Sequence, residues 1–114
     1  MASHAEGYRG STTRTINGTT YNIEAHSMSD HIEGYDTLTY GGQPGAHAEG
    51  YQTSAIGGAS HSEGASTVAS GSISHAEGNS TTASGTISHA EGYSTIASGT
   101  NSHAEGSGTA ASGS

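Results

Sequence analysis

The chain has 114 residues, of which 29% are hydrophobic, with no Phe, Trp or Cys, and 2 basic side chains face 10 acidic ones for a formal charge of −8. So small a supply of large apolar groups excludes an ordinary globular core, and the missing cysteines exclude a disulfide framework and thiol chemistry. The charge balance speaks against nucleic acid or an anionic membrane as partner, and no apolar run is long enough for a signal-peptide core or a membrane span.

Gly, Ser and Thr dominate, which by composition alone reads as disorder. A strict repeat argues otherwise. Seven of the eight histidines begin a His-x-Glu-Gly motif, at His4, His31, His47, His61, His75, His89 and His103, and from His47 onward the spacing is fourteen residues. A fixed period of that kind is the mark of a solenoid.

Residues 1–10 hold the first motif and make a partial coil. Residues 11–30 break the period, since His31 follows His4 by 27 residues. Asn17-Gly18 lies there between two Thr-rich, β-branched runs, the strongest short-range signal for a hairpin. Residues 12–23 are therefore expected to form a β-hairpin, with a degenerate coil as the alternative. Residues 31–46 form a coil of sixteen, whose two extra residues fall within Gly42-Gln43-Pro44-Gly45-Ala46, a widened loop. Residues 47–114 are regular. With the motif histidine first, each coil reads His-Ala-Glu-Gly-x-Ser-Thr-x-Ala-Ser-Gly-x-x-Ser. Glycines at the fourth and eleventh positions predict two short strands and two tight turns per coil. Helix is disfavoured by the composition and by the lack of a 3.6-residue period.

Strand alternation then sorts the side chains. Ala76 and Ala83, with their equivalents, are expected inside a thin two-layer roll, with the Thr81 column beside them. His75 and Glu77 point outward. So does the variable column Ser54, Val68, Thr82, Ile96 and Ala110. Burying an alanine methyl contributes under about 1 kcal/mol, whereas each ordered backbone residue costs about 1 kcal/mol or more. A lone roll of this kind needs a second burial surface, and the recurring His/Glu face is the candidate. Stacking sets its glutamates about 4.8 Å apart, where like charges repel. Protonated histidines would relieve this across a subunit interface, moving the formal charge from −8 to −1 if all seven in the motif took a proton.

Ser74-His75-Ala76-Glu77-Gly78 followed by Thr81-Thr82-Ala83-Ser84-Gly85 resembles the head repeat of trimeric autotransporter adhesins, the YadA-like left-handed parallel β-roll. The likeness covers residues 31–114 and, in part, 1–10. The His-Ala-Glu-Gly spelling also resembles segments of phage and prophage tail fibres and tailspikes. The resemblance implies an all-β, left-handed, homotrimeric roll in an extracellular fibre on a virion tail or a bacterial surface. It places His31, Glu33, His47, Glu49, His61, Glu63, His75, Glu77, His89, Glu91, His103 and Glu105 toward the threefold axis, where that family carries Val and Ile.

The chemistry is weighed against this structural reading. Three chains would bring imidazoles and carboxylates together in each layer, a donor set suited to Zn, Ni or Fe. A hydrogen-bonded His–Glu ladder is preferred to a metal, because buried polar groups usually satisfy one another, and no cofactor is expected. Catalysis would need a unique cleft rather than a repeated surface. An ice-binding face would need the column Thr53, Thr67, Thr81, Thr95 and Thr109 on the outside. Receptor or glycan contact is assigned to Arg14, Asn17 and Tyr21 of the hairpin, Gln43 of the widened loop, and Tyr51 and Tyr93, which follow motif glycines as Tyr8 and Tyr35 also do. The expected function is structural and adhesive, with an end-to-end stacked filament as the alternative.

Overall fold

The structure is a computed structural model. It describes residues 30–39 and 45–114 in full, and the backbone strands Ala5–Glu6, Thr13–Ile16 and Thr19–Asn22. The described residues contain strands and turns and no helix. In chain order the first three strands are β1 (Ala5–Glu6), β2 (Thr13–Ile16) and β3 (Thr19–Asn22). Long and short strands then alternate: β4 (His31–Tyr35), β5 (Leu38–Thr39), β6 (His47–Tyr51), β7 (Ser54–Ala55), β8 (His61–Ala65) and β9 (Val68–Ala69). The pattern continues through β10 (His75–Asn79), β11 (Thr82–Ala83), β12 (His89–Tyr93), β13 (Ile96–Ala97), β14 (His103–Ser107) and β15 (Ala110–Ala111).

The long strands stack in parallel into a seven-stranded sheet that begins with β1, and the short ones into a six-stranded parallel sheet. Like residues lie on like, as in His75↔His89, Glu77↔Glu91 and Ala83↔Ala97. The chain is thus a parallel β-solenoid with a fourteen-residue repeat. The first motif joins it in register, Ala5 against Ile32 and Glu6 against Glu33. Residues 13–22 form a separate antiparallel pair, Arg14 opposite Tyr21 and Ile16 opposite Thr19. This is the expected hairpin, and its connection at Asn17-Gly18 lies outside the described residues. In the sixteen-residue coil, β4 and β5 keep register with β6 and β7, so the two extra residues fall between Thr39 and His47.

Between the sheets lies a core of alanines. Ala69, Ala76, Ala83, Ala90, Ala97 and Ala104 form one buried cluster, and Ala46, Ala48 and Ala55 another. They are divided where Ser62 replaces alanine and its hydroxyl pairs with Thr67 Oγ1 at 2.7 Å. The threonines of the seventh position and the serines of the fourteenth fill the two ends of this thin interior. Thr53, Thr67, Thr81 and Thr95 are fully buried, and Ser74 and Ser88 donate to the carbonyls of Gly71 and Gly85, each at 2.6 Å. Among the described residues Ile32 is the one large side chain buried there, and coil is joined to coil mainly by backbone hydrogen bonds.

The turns differ from the sequence expectation. The left-handed positions are filled mostly by residues other than glycine: Asp36, Gln52, Ser66, Ser80 and Ser94 at the first turn, Ala59, Ile73, Ile87 and Asn101 at the second. Their amides bond the coil before, as Ser80 N does to Ala65 O at 2.9 Å. The repeating glycines answer to a different demand. A Cβ at Gly78 would collide with the carbonyl oxygen of Gly92, and one at Gly85 with that of Gly99. Gly78 also sits at φ +106, inside its strand, whereas Gly85 has an ordinary negative-φ backbone. Glycine is required there by the close stacking of successive coils.

Candidate functional site

The five-residue motif strand builds the site by alternation. Ala76 turns into the roll, and His75 and Glu77 turn out on the same face. Because the strands stack in register, each outward residue becomes a column. His31, His47, His61, His75, His89 and His103 form a continuous stack, with successive ring centroids 4.4, 4.5, 4.6, 4.7 and 4.8 Å apart and planes within 11° of parallel. That spacing is the strand spacing of a β-sheet carried outward to the side chains.

The glutamates form a second column beside the rings. Within a coil, His Nε2 lies 3.3 Å from the carboxylate for His61–Glu63, 3.4 Å for His47–Glu49, 3.5 Å for His75–Glu77 and 3.6 Å for His89–Glu91. The other carboxylate oxygen reaches the following coil, Glu77 Oε1 to His89 Nε2 at 3.6 Å and Glu91 Oε1 to His103 Nε2 at 3.8 Å. Glutamates and motif glycines line an open groove of about 1000 Å³ along the whole face. The Nε2 atoms of His47, His61, His75 and His89 are shielded from solvent and have no hydrogen-bond partner among the described residues. The carboxylates are near but out of line. Within one chain these four atoms are left unbonded.

The electrostatics follow from the stacking. Burial pushes His61 and His75 below the ordinary imidazole range, and the next ring in the column, His75 or His89, adds to the shift. The adjoining glutamates oppose it. The carboxyl of Glu49 is held below its usual range, chiefly by a side-chain hydrogen bond with Glu63 and then by His47, against the opposing effect of burial. At the centre of the column the folded chain therefore favours the neutral rings of His61 and His75. Residues 30–114 contain no Lys or Arg to offset the glutamate column.

The structure places the predicted residues as follows. All twelve His and Glu residues assigned to an interface lie on this one face, in register. Tyr51 and Tyr93 are exposed at the ends of their strands. They are not neighbours, since Ala65 and Asn79 occupy the intervening positions of that column. Arg14 and Tyr21 face each other in the hairpin register, and Gln43 and Tyr8, like Asn17, lie outside the described residues. Two features went unread in the sequence. Tyr35 stacks on Tyr51, 5.2 Å between ring centroids and 6° from parallel; their shared fifth position in adjacent coils is the signal for it. Ile73 and Ile87 are 59% and 53% exposed, both at φ +56, a costly conformation for a β-branched side chain. Nothing in the local sequence marks them, because the turn they occupy was assigned to glycine.

Thr53, Thr67, Thr81 and Thr95 are buried and closed to an ice surface, as alternation predicted, while Thr109 in the last coil is exposed. The face also contains four groups of metal-ligating atoms within 4.8 Å of one another: His47–Glu49–His61, His61–Glu63–His75, His75–Glu77–His89 and His89–Glu91–His103. No family model, curated protein or solved structure matches the chain. The class the fold and face define is a parallel β-solenoid with a repeated acidic groove beside a column of stacked histidines.

Proposed function

We propose that the chain is a structural segment of an extracellular homotrimeric fibre, of the kind found in adhesin heads and tail fibres, and that the His/Glu face is where three copies meet. The observation that carries this reading is the open groove lined by a glutamate from every motif strand between Glu33 and Glu105, with the unpartnered Nε2 atoms of His47, His61, His75 and His89 shielded beside it. Unsatisfied polar atoms cost about 1–3 kcal/mol each, and a partner surface toward which the rings turn out supplies the missing bonds. The interior adds to the need. Apart from Ile32 it consists of alanine methyls and hydroxyls, and Thr53, Thr81 and Thr95 Oγ1 are themselves buried without a partner among the described residues. A group offered identically in every coil favours structural work over catalysis, which calls for one unique constellation. The resemblance to YadA-like repeats supports the same arrangement. Exposed Tyr51 and Tyr93, with Arg14, Asn17, Tyr21 and Gln43, are the proposed contacts to a receptor or glycan, since tyrosine combines an apolar ring with a polar end.

Light scattering on the purified chain tests this. The expected mass is three times the 11.2 kDa of one chain. A folded, stable monomer overturns the trimer, and an open-ended series of masses favours the filament.

A further inference from the structure

We propose that the His/Glu ladder is a metal-binding array, in which His75, Glu77 and His89 of a single chain hold one divalent cation of the zinc class. The donors come from two adjacent coils of the same chain, so the inference does not rest on association.

Donor type comes first. Two imidazole nitrogens and a carboxylate oxygen form a set that suits Zn²⁺ and its neighbours in the first transition row. Calcium and magnesium would demand more oxygen ligands. Spacing comes second. Glu77 lies 3.5 Å from His75 Nε2 through one oxygen and 3.6 Å from His89 Nε2 through the other. Bonds of ~2.1 Å around a tetrahedral ion put neighbouring ligand atoms ~3.4 Å apart. With either oxygen of Glu77 taken as the ligand atom, one edge of the triangle already matches. The other two, between ligand atoms no more than 4.8 Å apart, close by turning the carboxylate and tilting the two rings toward each other. The third consideration is what the atoms lack. His75 and His89 Nε2 are shielded, make no hydrogen bond among the described residues, and face a carboxylate column with no Lys or Arg anywhere in residues 30–114. A cation supplies both the missing ligand bond and the missing positive charge.

The stacking also sets the number of ions. His61, His75 and His89 each belong to two of the four groups. Each ring turns one nitrogen toward the carboxylates and cannot serve two ions with it. Neighbouring groups therefore exclude each other, and the described ladder holds two ions, in groups that share no histidine. One such pair is His47–Glu49–His61 with His75–Glu77–His89.

The test uses the full chain, stripped with a chelator and titrated with Co²⁺, whose ligand-field absorption reports imidazole and carboxylate coordination. Two ions per chain are expected, displaced by Zn²⁺. In the double variant His75→Ala with His89→Ala, only His47–Glu49–His61 remains complete, so the count falls to one. The triple variant Glu63→Gln, Glu77→Gln and Glu91→Gln keeps every ring in the stack, so it serves where the histidine variant fails to fold, and it too should bind one. Absent ligand-field absorption, four ions per chain, or unchanged binding in the folded triple variant overturns the proposal. Light scattering on the same samples separates the two ideas: a monomer that binds Co²⁺ overturns the trimer and keeps the metal, and a trimer that binds none does the reverse.

Discussion

The two sheets of the roll share an interior and differ outside. Both turn an alanine column inward. The long-strand sheet repeats His and Glu on its outer face in every described coil. The short-strand sheet carries Leu38, Ser54, Val68, Thr82, Ile96 and Ala110 in the equivalent outward column. Backbone stacking is equally regular in the two, so regularity of the fold does not require regularity of the outer side chains. An outer column that repeats without being needed by its own roll points to a requirement beyond the roll. On the proposed readings, the histidine and glutamate columns answer to other chains or to a cation at that face. The short-strand column answers mainly to β-propensity.

The largest test of this contrast lies in the glycines. Ala at Gly78 adds a collision with the next coil to an unfavourable positive φ, whereas Ala at Gly85 adds the collision alone. Overpacking costs about 1–3 kcal/mol and the backbone conformation about 1–2 kcal/mol more. Gly78→Ala should therefore lower stability by roughly 3 kcal/mol or more in urea unfolding, and Gly85→Ala by less. Equal losses would mean that stacking alone dictates both glycines and that the positive φ is incidental.

Next in size is the exchange of outer columns. His75→Ala with His89→Ala interrupts the ring stack, where an aromatic pair contributes about 0.5–1.5 kcal/mol. Thr82→Ala with Ile96→Ala removes exposed or half-buried groups from the other sheet, where effects are usually within about 0.5 kcal/mol per site. The histidine variant should melt at the lower temperature. Equal melting temperatures would place both columns in solvent and remove the interface.

The smallest expected effect is that of pH, and it acts on the long-strand sheet alone. His61 and His75 are held below their unfolded value of 6.5, so the unfolded chain takes up protons first as the solution is acidified. Their contribution to stability is complete above 6.5 and falls as pH drops below it. Glu49, lowered from 4.5, contributes above that value and loses its effect at more acid pH. The melting temperature of the chelator-treated chain should thus decline on acidification through both windows. A rise below 6.5 would instead mean that protonated histidines bridge carboxylates of neighbouring chains.

Much of this was legible in the residues because a fourteen-residue period leaves few choices. Spacing alone placed every motif histidine from His31 to His103 in one register. Alternation alone turned Ala76 and Ala83 inward and His75 and Glu77 outward. Asn17-Gly18 between Thr-rich runs was enough to mark the pairing of Thr13–Ile16 with Thr19–Asn22. The turns were not legible. Glycine is read by habit as a turn residue, but here Ser80 and Ile87 take the left-handed positions, since the coil-to-coil hydrogen bonds impose that backbone on whatever residue stands there.

The period, the inward alanines and the outward columns were thus determined by the sequence, because they depend on local geometry that repeats. Only the tertiary structure decided the state of the groups within a column. Parallel stacking at strand spacing brings identical imidazoles within 4.8 Å, buries His61 and His75 so that their affinity for protons falls, and leaves Nε2 atoms of His47, His61, His75 and His89 shielded and unpartnered beside carboxylates. Those properties belong to the distance between coils, which no single repeat encodes.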